Sequence, residues 1–572
     1  MLIHRRTVNE ALACFSSELH PVLKRIYLGR GVTSEVDVEH ELNQLLSYQG
    51  LLGIDHAAML IAEAILQQKR IMIIGDYDTD GATSTAVGVR ALKAFGATQV
   101  SFLVPNRFEY GYGLTPEIVD LAITQKPDVL ITVDNGIASL DGVLRAKEYG
   151  ITVIITDHHL AGDALPVADA IVNPNQPGDT FASKCMAGVG VIFYVMLAVR
   201  QALRDREWFV ARVEPNMAMF LDIVALGTVA DVVPLDKNNR ILVQQGLRRI
   251  RANACAPGIL ALLKIAGRDY AHITANDLGF AVAPRLNAAG RLDDMSLGIR
   301  CLTSDADGDV MQMAERLNQL NDERREIESD MQQQAEAALS VLKIADQQLP
   351  KGLCLYEPTW HQGVIGIVAA RIKERYHRPV IAFAMASDTE LKGSARSIPG
   401  FHMRDAFEAI ARNQPGLITR FGGHAMAAGL TLHPAQYERF KVCFAEYAEQ
   451  QLSAEQLQQT LLTDGELTTD DLSLALAQVL RFASPWGQHF PEPRFEGEFI
   501  LLDQRLVGQK HLKMALQVAG TEPVIDVIFF GVDTRIWPNE RCRRVRAVYR
   551  LDVNRYAGRA RVQLMVDHLQ VL

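Results

Sequence analysis

Cysteine is scarce in this sequence and never paired. Seven are scattered over 572 residues (Cys14, Cys185, Cys255, Cys301, Cys354, Cys443 and Cys542), with no Cys-x-x-Cys among them. An odd count without paired spacing excludes a disulfide frame and a thiolate zinc site, and fits a reducing compartment. Long apolar runs are missing as well. The longest, "CMAGVGVIFYVMLAV" between Lys184 and Arg200, has fifteen residues, short of the ~20 that cross a membrane, and reads as a buried helix. The opening "MLIHRRTVNEALACFSSELHP" carries no uninterrupted apolar segment before a small-residue cleavage site, so no signal peptide is expected. Nor does one sign of charge dominate. The 58 basic and 67 acidic side chains leave a net charge of -9, too mild to name a partner, so local distribution has to do so. A cytoplasmic protein without a membrane partner is the expectation.

What is present is an ordinary globular balance, 48% hydrophobic and 22% charged, over a length that allows about three to five domains. From residue 70 onward, "RIMIIG", "QVSFLVP", "DVLITVDNG" and "ITVIITDHH" are Val/Ile runs of strand length. "ATSTAVGVRALKAFG", "TPEIVDLAIT" and "SLDGVLRAKEYG" between them have helical spacing. That alternation predicts an α/β fold around a parallel sheet covered on both faces. Leu317, Leu320, Ile327, Met331, Ala335, Leu339 and Leu342 then fall at spacings of three, four and seven. They predict one long amphipathic helix, either a strut between domains or a bundle helix within one. After it, "GLCLYE", the helix "HQGVIGIVAARIKERYH" and "VIAFAM" open a smaller α/β unit. From about 493 the pattern becomes short alternating strands, and a small β-barrel is expected. In "RRVRAVYRLDV", Val545, Ala547, Tyr549, Leu551 and Val553 share one face; Arg544, Arg546, Val548, Arg550 and Asp552 share the other. The expected division is an N-terminal segment 1–45, a parallel-sheet domain with helical extension 46–305, a connecting helix 306–347, a second α/β domain 348–455 and a barrel domain 456–572.

Three acidic clusters end successive strands: "GDYDTDG" (Asp76, Asp78, Asp80), "TVDNG" (Asp134) and "TDHH" (Asp157, His158, His159). Ligands of an open parallel sheet bind at the carboxyl ends of its strands, so these groups converge on one crevice. Five carboxylates crowded together repel one another unless cations sit among them. Oxygen ligands alone suit magnesium, and an added imidazole shifts the preference toward manganese. Two cations sharing a carboxylate relieve more repulsion than one, and paired metals about 3.5–4 Å apart serve phosphodiester hydrolysis. Asp-x-Asp-x-Asp-Gly also opens a calcium loop, but its twelfth position is Val87 and a strand precedes it. "DTDGAT" also resembles the aspartyl-phosphate loop of haloacid-dehalogenase-like phosphatases, a reading that leaves "DHH" unexplained. Strand-end Asp and His that merely cap helices are the structural alternative.

These residues, with "LGTVADVVPL" (226–235), "PRLNAAGR" (284–291), "GSARS" (393–397) and "GGHAMAAG" (422–429), closely resemble the DHH phosphoesterases. The order of the motifs and the barrel behind them point within that family to single-strand-specific 5′ exonucleases. The resemblance implies a DHH catalytic domain, a DHHA1-like substrate-binding domain and an OB-fold barrel. It implies two manganese or magnesium ions held by Asp76, Asp78, Asp80, Asp134, His158 and Asp231, with Asp134 as the bridge. His159, with Asp157, then faces the scissile phosphate, and Arg285, Arg291 and Arg396 join them as catalytic groups. Hydrolysis releases 5′-mononucleotides; the direction of digestion comes from the resemblance alone. So do roles in DNA recombination, mismatch repair and base-excision repair, with a single-strand-binding protein and a DNA helicase as partners. A monomer is expected.

Further groups suit a single strand. In "VPNRFEYGYGL", Arg107 reaches a phosphate and Tyr112, between two glycines, stacks on a base; the plain alternative is a surface loop. Asn287 accompanies Arg285 and Arg291 in a segment that is either a phosphate contact or a helix-terminus motif. Ser394, Arg396, Gly422, Gly423 and His424 offer donors for phosphate oxygens. "HQGVIG" suits either a phosphate or core packing. The last strands carry eight arginines, including Arg544, Arg546 and Arg550, with Tyr549 and Tyr556 interleaved and Asp552 the sole acid among them. That pattern predicts a nucleic-acid surface rather than a merely solvated face. The strand is expected to thread between the α/β domains. Two rival functions stay open at this point: a DHH hydrolase of short oligonucleotides, cyclic dinucleotides or pyrophosphate, and a non-catalytic binding subunit.

Overall fold

The Val/Ile runs become strands because near-continuous apolar side chains are satisfied only where both sheet faces are covered. In the computed structural model, which describes residues 1–106, 110, 112–346, 349–556 and 558–572, with backbone alone at 341–346 and 556, they are β1 (Ile71–Ile74), β2 (Val100–Leu103), β3 (Val129–Val133) and β4 (Thr152–Thr156). A short fifth strand, β5 (Ala170–Val172), was not legible in the sequence. The order is β2-β1-β3-β4-β5 and every pairing is parallel. The chain leaves β1 to one side for β2 and returns to its other side for β3. The crevice between the carboxyl ends of β1 and β3 is therefore the switch point of the sheet, where ligands of such folds bind. Helices α1 (Thr79–Ala94), α2 (Pro116–Ile123) and α3 (Leu140–Glu148) make the crossovers. The fifteen-residue apolar run is buried in α4 (Gly188–Arg204). It is followed by α5 (Leu221–Ala230) and, after a helical stretch, by α6 (Ala283–Leu292). Among the described residues, no single helix is long and apolar enough to cross a membrane.

The long amphipathic pattern is one helix, α7 (Asp307–Asp346). The chain resolves into two compact units: residues 1–4, 291–293 and 319–461 form one, and 5–290, 294–318 and 462–572 the other. The helix thus begins in the larger unit and continues in the smaller. There Met331, Ala335 and Leu339 pack with Leu353, Val368 and Val380; the side chain of Leu342 lies outside the described residues.

The smaller unit is built on β6 (Leu353–Tyr356), β7 (Val380–Ser387), β8 (Glu390–Arg396), β9 (Arg420–Gly423) and β10 (Ala427–Leu432), in the order β9-β10-β8-β7-β6. Only β6–β7 is parallel. Helix α8 (Ile365–Tyr376) covers one face through Val368, Ala369 and Ile372. The other face packs on α9 (Met403–Asn413) and α10 (Tyr437–Gln451) through Phe407, Phe440 and Phe444. The helix expected from His361 starts at Ile365, because residues 361–364 form a turn in which the Gly363 N–H donates to His361 Nδ1 at 3.1 Å.

Within the larger unit, α11 (Leu474–Phe482) precedes a closed barrel of β11 (Phe495–Val507), β12 (His511–Gln517), β13 (Val524–Phe530), β14 (Arg544–Tyr556) and β15 (Arg559–Val571). Its order is β11-β12-β13-β15-β14, the five-stranded OB arrangement. Val545, Ala547, Tyr549, Leu551 and Val553 point into the core, as the alternation requires. Val548, assigned to the outer face, is also fully buried, because α11 packs against β14 and covers that face.

Candidate metal centre

Each acidic cluster is fixed by a different local device. Asp78 caps α1, its Oδ1 accepting the Gly81 N–H at 3.0 Å. Asp80 lies two residues further, in the first turn, fully buried, and its oxygens accept the Gly188 and Val189 N–H groups at 2.6 and 3.0 Å. Those are the first amides of α4, where unpaired donors and the positive end of the helix dipole favour a carboxylate. Asp134 follows β3 with φ at +60°, a left-handed conformation uncommon for a residue with a Cβ. The neighbouring Asn135 ties this turn to β1 by donating to the Ile74 carbonyl at 3.2 Å. Asp231 closes α5.

Two glycines make room for these side chains. A Cβ on Gly188 would lie 2.7 Å from Asp134 Cβ, and one on Gly227 would lie 3.0 Å from Asp80 Oδ1 and 2.1 Å from Thr83 Oγ1. Both are close-approach positions that only glycine fills without displacing a neighbour.

Three groups of donors each have ligand atoms within 4.8 Å of one another: Asp76/Asp78/Asp134 and Asp80/His158/Asp231 share no member, and Asp134/His158/His159 links the two. The sets meet where His158 Nε2 stands 3.0 Å from Asp134 Oδ1. His158 Nε2 also lies 3.6 Å from Asp231 and 3.9 Å from Asp80. Burial, and then repulsion from Asp78, pushes Asp80 up to about 7. Burial followed by the Asp80, Asp78 and Asp76 charges raises Asp134 and Asp231 well above the carboxylate range. Asp134 Oδ1 and Asp231 Oδ2 are buried yet accept no hydrogen bond. Oxygens that are desolvated and mutually repelling fit divalent cations: oxygen-rich, one imidazole, two sites.

Asp157 belongs to a different layer. Its Oδ2 accepts the Ile137 N–H at 2.9 Å, while Oδ1 accepts the His158 N–H at 2.7 Å and lies 2.7 Å from His159 Nδ1. Burial alone would raise its pKa; the His159 hydrogen bond and both imidazole charges outweigh burial and hold it low. His159 shifts the other way: burial disfavours its charge, but Asp157 prevails and raises it. The pair is therefore an imidazole oriented by a carboxylate. Sequence reasoning missed two further residues here. Asn173 Nδ2 donates to the His159 carbonyl at 2.9 Å and Asn175 Nδ2 to the His158 carbonyl at 2.6 Å, clamping the backbone of both histidines. The "NPN" following β5 was the available signal.

Several expected strand contacts are engaged inside the protein. Tyr112, meant to stack on a base, donates its hydroxyl to the Asp134 carbonyl at 3.0 Å and sets its ring edge-on to His159 and Tyr77. Asn287 Oδ1 accepts the Thr79 N–H at 2.9 Å, and Arg285 Nε donates to Asn318 Oδ1 at 3.0 Å. "PRLNAAGR" is thus a helix that braces the Tyr77–Thr79 loop through Asn287. Arg291 donates to the Gly363 carbonyl at 3.0 Å. Arg107 lies outside the described residues.

In the smaller unit the expected groups do converge. Gly422 pairs with Gly429 and Gly429 with Ser394, so β9, β10 and β8 carry them in one cross-strand row. Arg396, two residues along, opposes Ala427. Burial lowers its guanidinium, and no carboxylate faces it among the described residues. Gly423, at φ +127°, is required by the turn that carries His424; Gly422 has nothing within 4 Å of a Cβ position, leaving open space above the sheet.

The arginine run has partners that the sequence did not show. Its acids are not along the chain but across the barrel: Arg544 pairs with Glu498, Arg546 with Glu496, and Arg550 with Glu492 and Asp567. Tyr549 is in the barrel core, edge-on to Phe499. The side chain of Tyr556 lies outside the described residues. Arg541, Arg543, Arg555, Arg559 and Arg561 are exposed and make no ion pair among the described residues.

Comparison with known proteins agrees with this arrangement. Residues 70–228 match the DHH family N-terminal domain, 349–450 the DHHA1 domain and 463–568 the RecJ OB domain. The single-stranded-DNA-specific exonuclease RecJ of Salmonella typhimurium is 51% identical over 99% of this chain and 98% of its own length. That of Escherichia coli is 50% identical over the same shares. The crystal structure of Thermus thermophilus RecJ in complex with Mn2+ superposes with a TM-score of 0.80 at 29% identity, covering 100% of this chain and 79% of that one. Its Mg2+ complex gives 0.75 at 27%, covering 100% and 78%.

Proposed function

The chain belongs to the RecJ family of single-stranded-DNA-specific exonucleases, and from that premise we propose that it digests single-stranded DNA from the 5′ end at the centre of Asp76, Asp78, Asp80, Asp134, His158 and Asp231. The observation that carries this reading is the pair of donor sets meeting at the 3.0 Å approach of His158 to Asp134. When bound, two manganese or magnesium ions polarise the phosphodiester and lower the pKa of water. The chain's own residues do the rest. Asp157 aims His159, so that its imidazole meets the non-bridging oxygens of the scissile phosphate. Asn173 and Asn175 fix the backbone that carries both imidazoles. Ser394, Arg396 and the open backbone at Gly422 supply donors for strand phosphates, and the uncompensated Arg396 is the group most in need of one.

Roles in recombination and repair beside a single-strand-binding protein and a DNA helicase, a monomeric state, a cytoplasmic location and the domain division 1–45, 46–305, 306–347, 348–455 and 456–572 complete the proposal. A small-substrate hydrolase needs no barrel, and a binding-only subunit has no use for carboxylates that repel one another. The test uses protein, manganese and DNA labelled at either end, single- and double-stranded. Mononucleotides released from the 5′ end of the single strand support the reading; digestion of blunt duplex at equal rate, or of dimers only, overturns it.

The barrel yields a narrower prediction. Replacing Arg555, Arg559 and Arg561 with Gln should weaken single-strand binding and lower the slope of log affinity against log salt by about 0.7 for each phosphate no longer neutralised. Replacing Arg544, Arg546 and Arg550 should change the slope less and lower the melting temperature more, since each leaves a carboxylate without its counter-charge. Fluorescence anisotropy between 50 and 200 mM salt, roughly the range over which such slopes are read, separates the two.

A further inference from the structure

Phe280 exposes 79% of its surface, although Leu278, Ala281 and Val282 around it are buried. These residues form a π-helical turn, Leu278–Val282, that runs straight into α6. Such turns are rare and are frequent at functional sites. Scattered exposed apolar residues are ordinary; what sets Phe280 apart is its position. On one side, a Cβ at Gly279 would touch Val229 Cγ1 at 3.2 Å, two residues before Asp231. Thr79 Oγ1, between Asp78 and Asp80, donates to the Ala283 carbonyl at 3.1 Å. On the other side, Asn276 Nδ2 donates to Glu492 Oε2 at 3.1 Å, and Glu492 pairs with Arg550 of β14 at 2.9 Å. The turn is thus pinned to two metal-ligand segments and to the barrel. Val232, 62% exposed at φ +61° directly after Asp231, adds a second apolar surface.

We propose that Phe280 is a stacking platform for a nucleobase of the single strand between barrel and metal centre, an inference that rests on the nuclease reading above. A base offers a flat apolar face and Phe280 a flat ring with no polar group. The contact therefore accepts every base, as an enzyme that digests any sequence requires, and it is denied to bases stacked inside a duplex.

The test places a single abasic site at successive positions of a 5′-labelled single strand. In the wild type, the abasic site should slow release at one register. Phe280→Ala should raise KM for intact DNA about tenfold and lose that register-specific response; Phe280→Leu should behave like Ala, and Phe280→Trp should restore both. Thermal melting confirms that the variants fold. Phe280→Ala with wild-type KM, or with an unaltered abasic response, overturns the inference alone. A wild type that leaves single strands intact overturns the nuclease reading and the inference with it.

Discussion

Asp134→Asn is expected to bind single-stranded DNA, cut it more than about 1,000-fold more slowly, and yet melt higher than the wild type in EDTA. The first two outcomes follow from its place where the two donor sets meet. Losing a group that only orients a metal ligand costs about 10–100-fold, and Asp134 offers ligand atoms to two of the donor groups. Asn tolerates the left-handed backbone at this position better than Ala would, which keeps the fold out of the comparison. The third outcome follows from electrostatics. Asp134 is held among Asp76, Asp78, Asp80 and Asp231 with its pKa raised by burial and by their charges, so removing its charge relieves the metal-free protein.

The pH dependence has a definite sign. A carboxyl whose folded pKa exceeds its unfolded value near 3.9 favours folding below that value and loses the contribution as pH rises through the folded pKa. For Asp80, pushed up to about 7, the window runs from about pH 4 to about 7. In EDTA the wild type should therefore lose melting temperature relative to Asp134→Asn between pH 5 and 7.5. Manganese should remove that difference or reverse it. Differential scanning fluorimetry at both pH values, with and without metal, checks each sign; a variant that melts lower than wild type in EDTA would mean that the carboxylates are not in conflict.

Strand-end acids were legible because a run such as "IMIIG" places the residues after it at the edge of a parallel sheet. Three such runs therefore bring three clusters together with no tertiary information. The roles of Asn173, Asn175, Gly188 and Gly227 were not legible, since each matters through contacts with residues 14 or more positions away. The ion pairs of the β14 arginines were illegible for a related reason. Charge counted along a strand says nothing of Glu496 and Glu498 on β11, which antiparallel pairing sets opposite Val548 and Arg546. Val548 was assigned outward by a period of two that holds for a sheet with one solvated face, and α11 removes that condition. Phe280 was not singled out in the sequence; its exposure on a π-turn is visible only in the structure.

Gly290→Ala sets two such levels against each other. Helix propensity alone favours alanine over glycine by about 1 kcal/mol in a helix interior. At Gly290 in α6, however, a Cβ would lie 1.7 Å from the Tyr77 carbonyl oxygen, between Asp76 and Asp78. Neither partner is the end of a flexible side chain, so the helix or the metal loop has to move by more than about 1 Å, and overpacking of this kind costs about 1–3 kcal/mol. A displacement of that size at the reacting centre costs about 10²-fold in rate. The variant should therefore melt a few degrees lower, bind manganese more weakly and show kcat reduced about a hundredfold. Gly308→Ala near the start of α7, where nothing lies within 4 Å of the new Cβ, supplies the control and should match or exceed the wild-type melting temperature at full activity. Wild-type kcat in Gly290→Ala would mean that the loop carrying Asp76 and Asp78 is not braced by this helix.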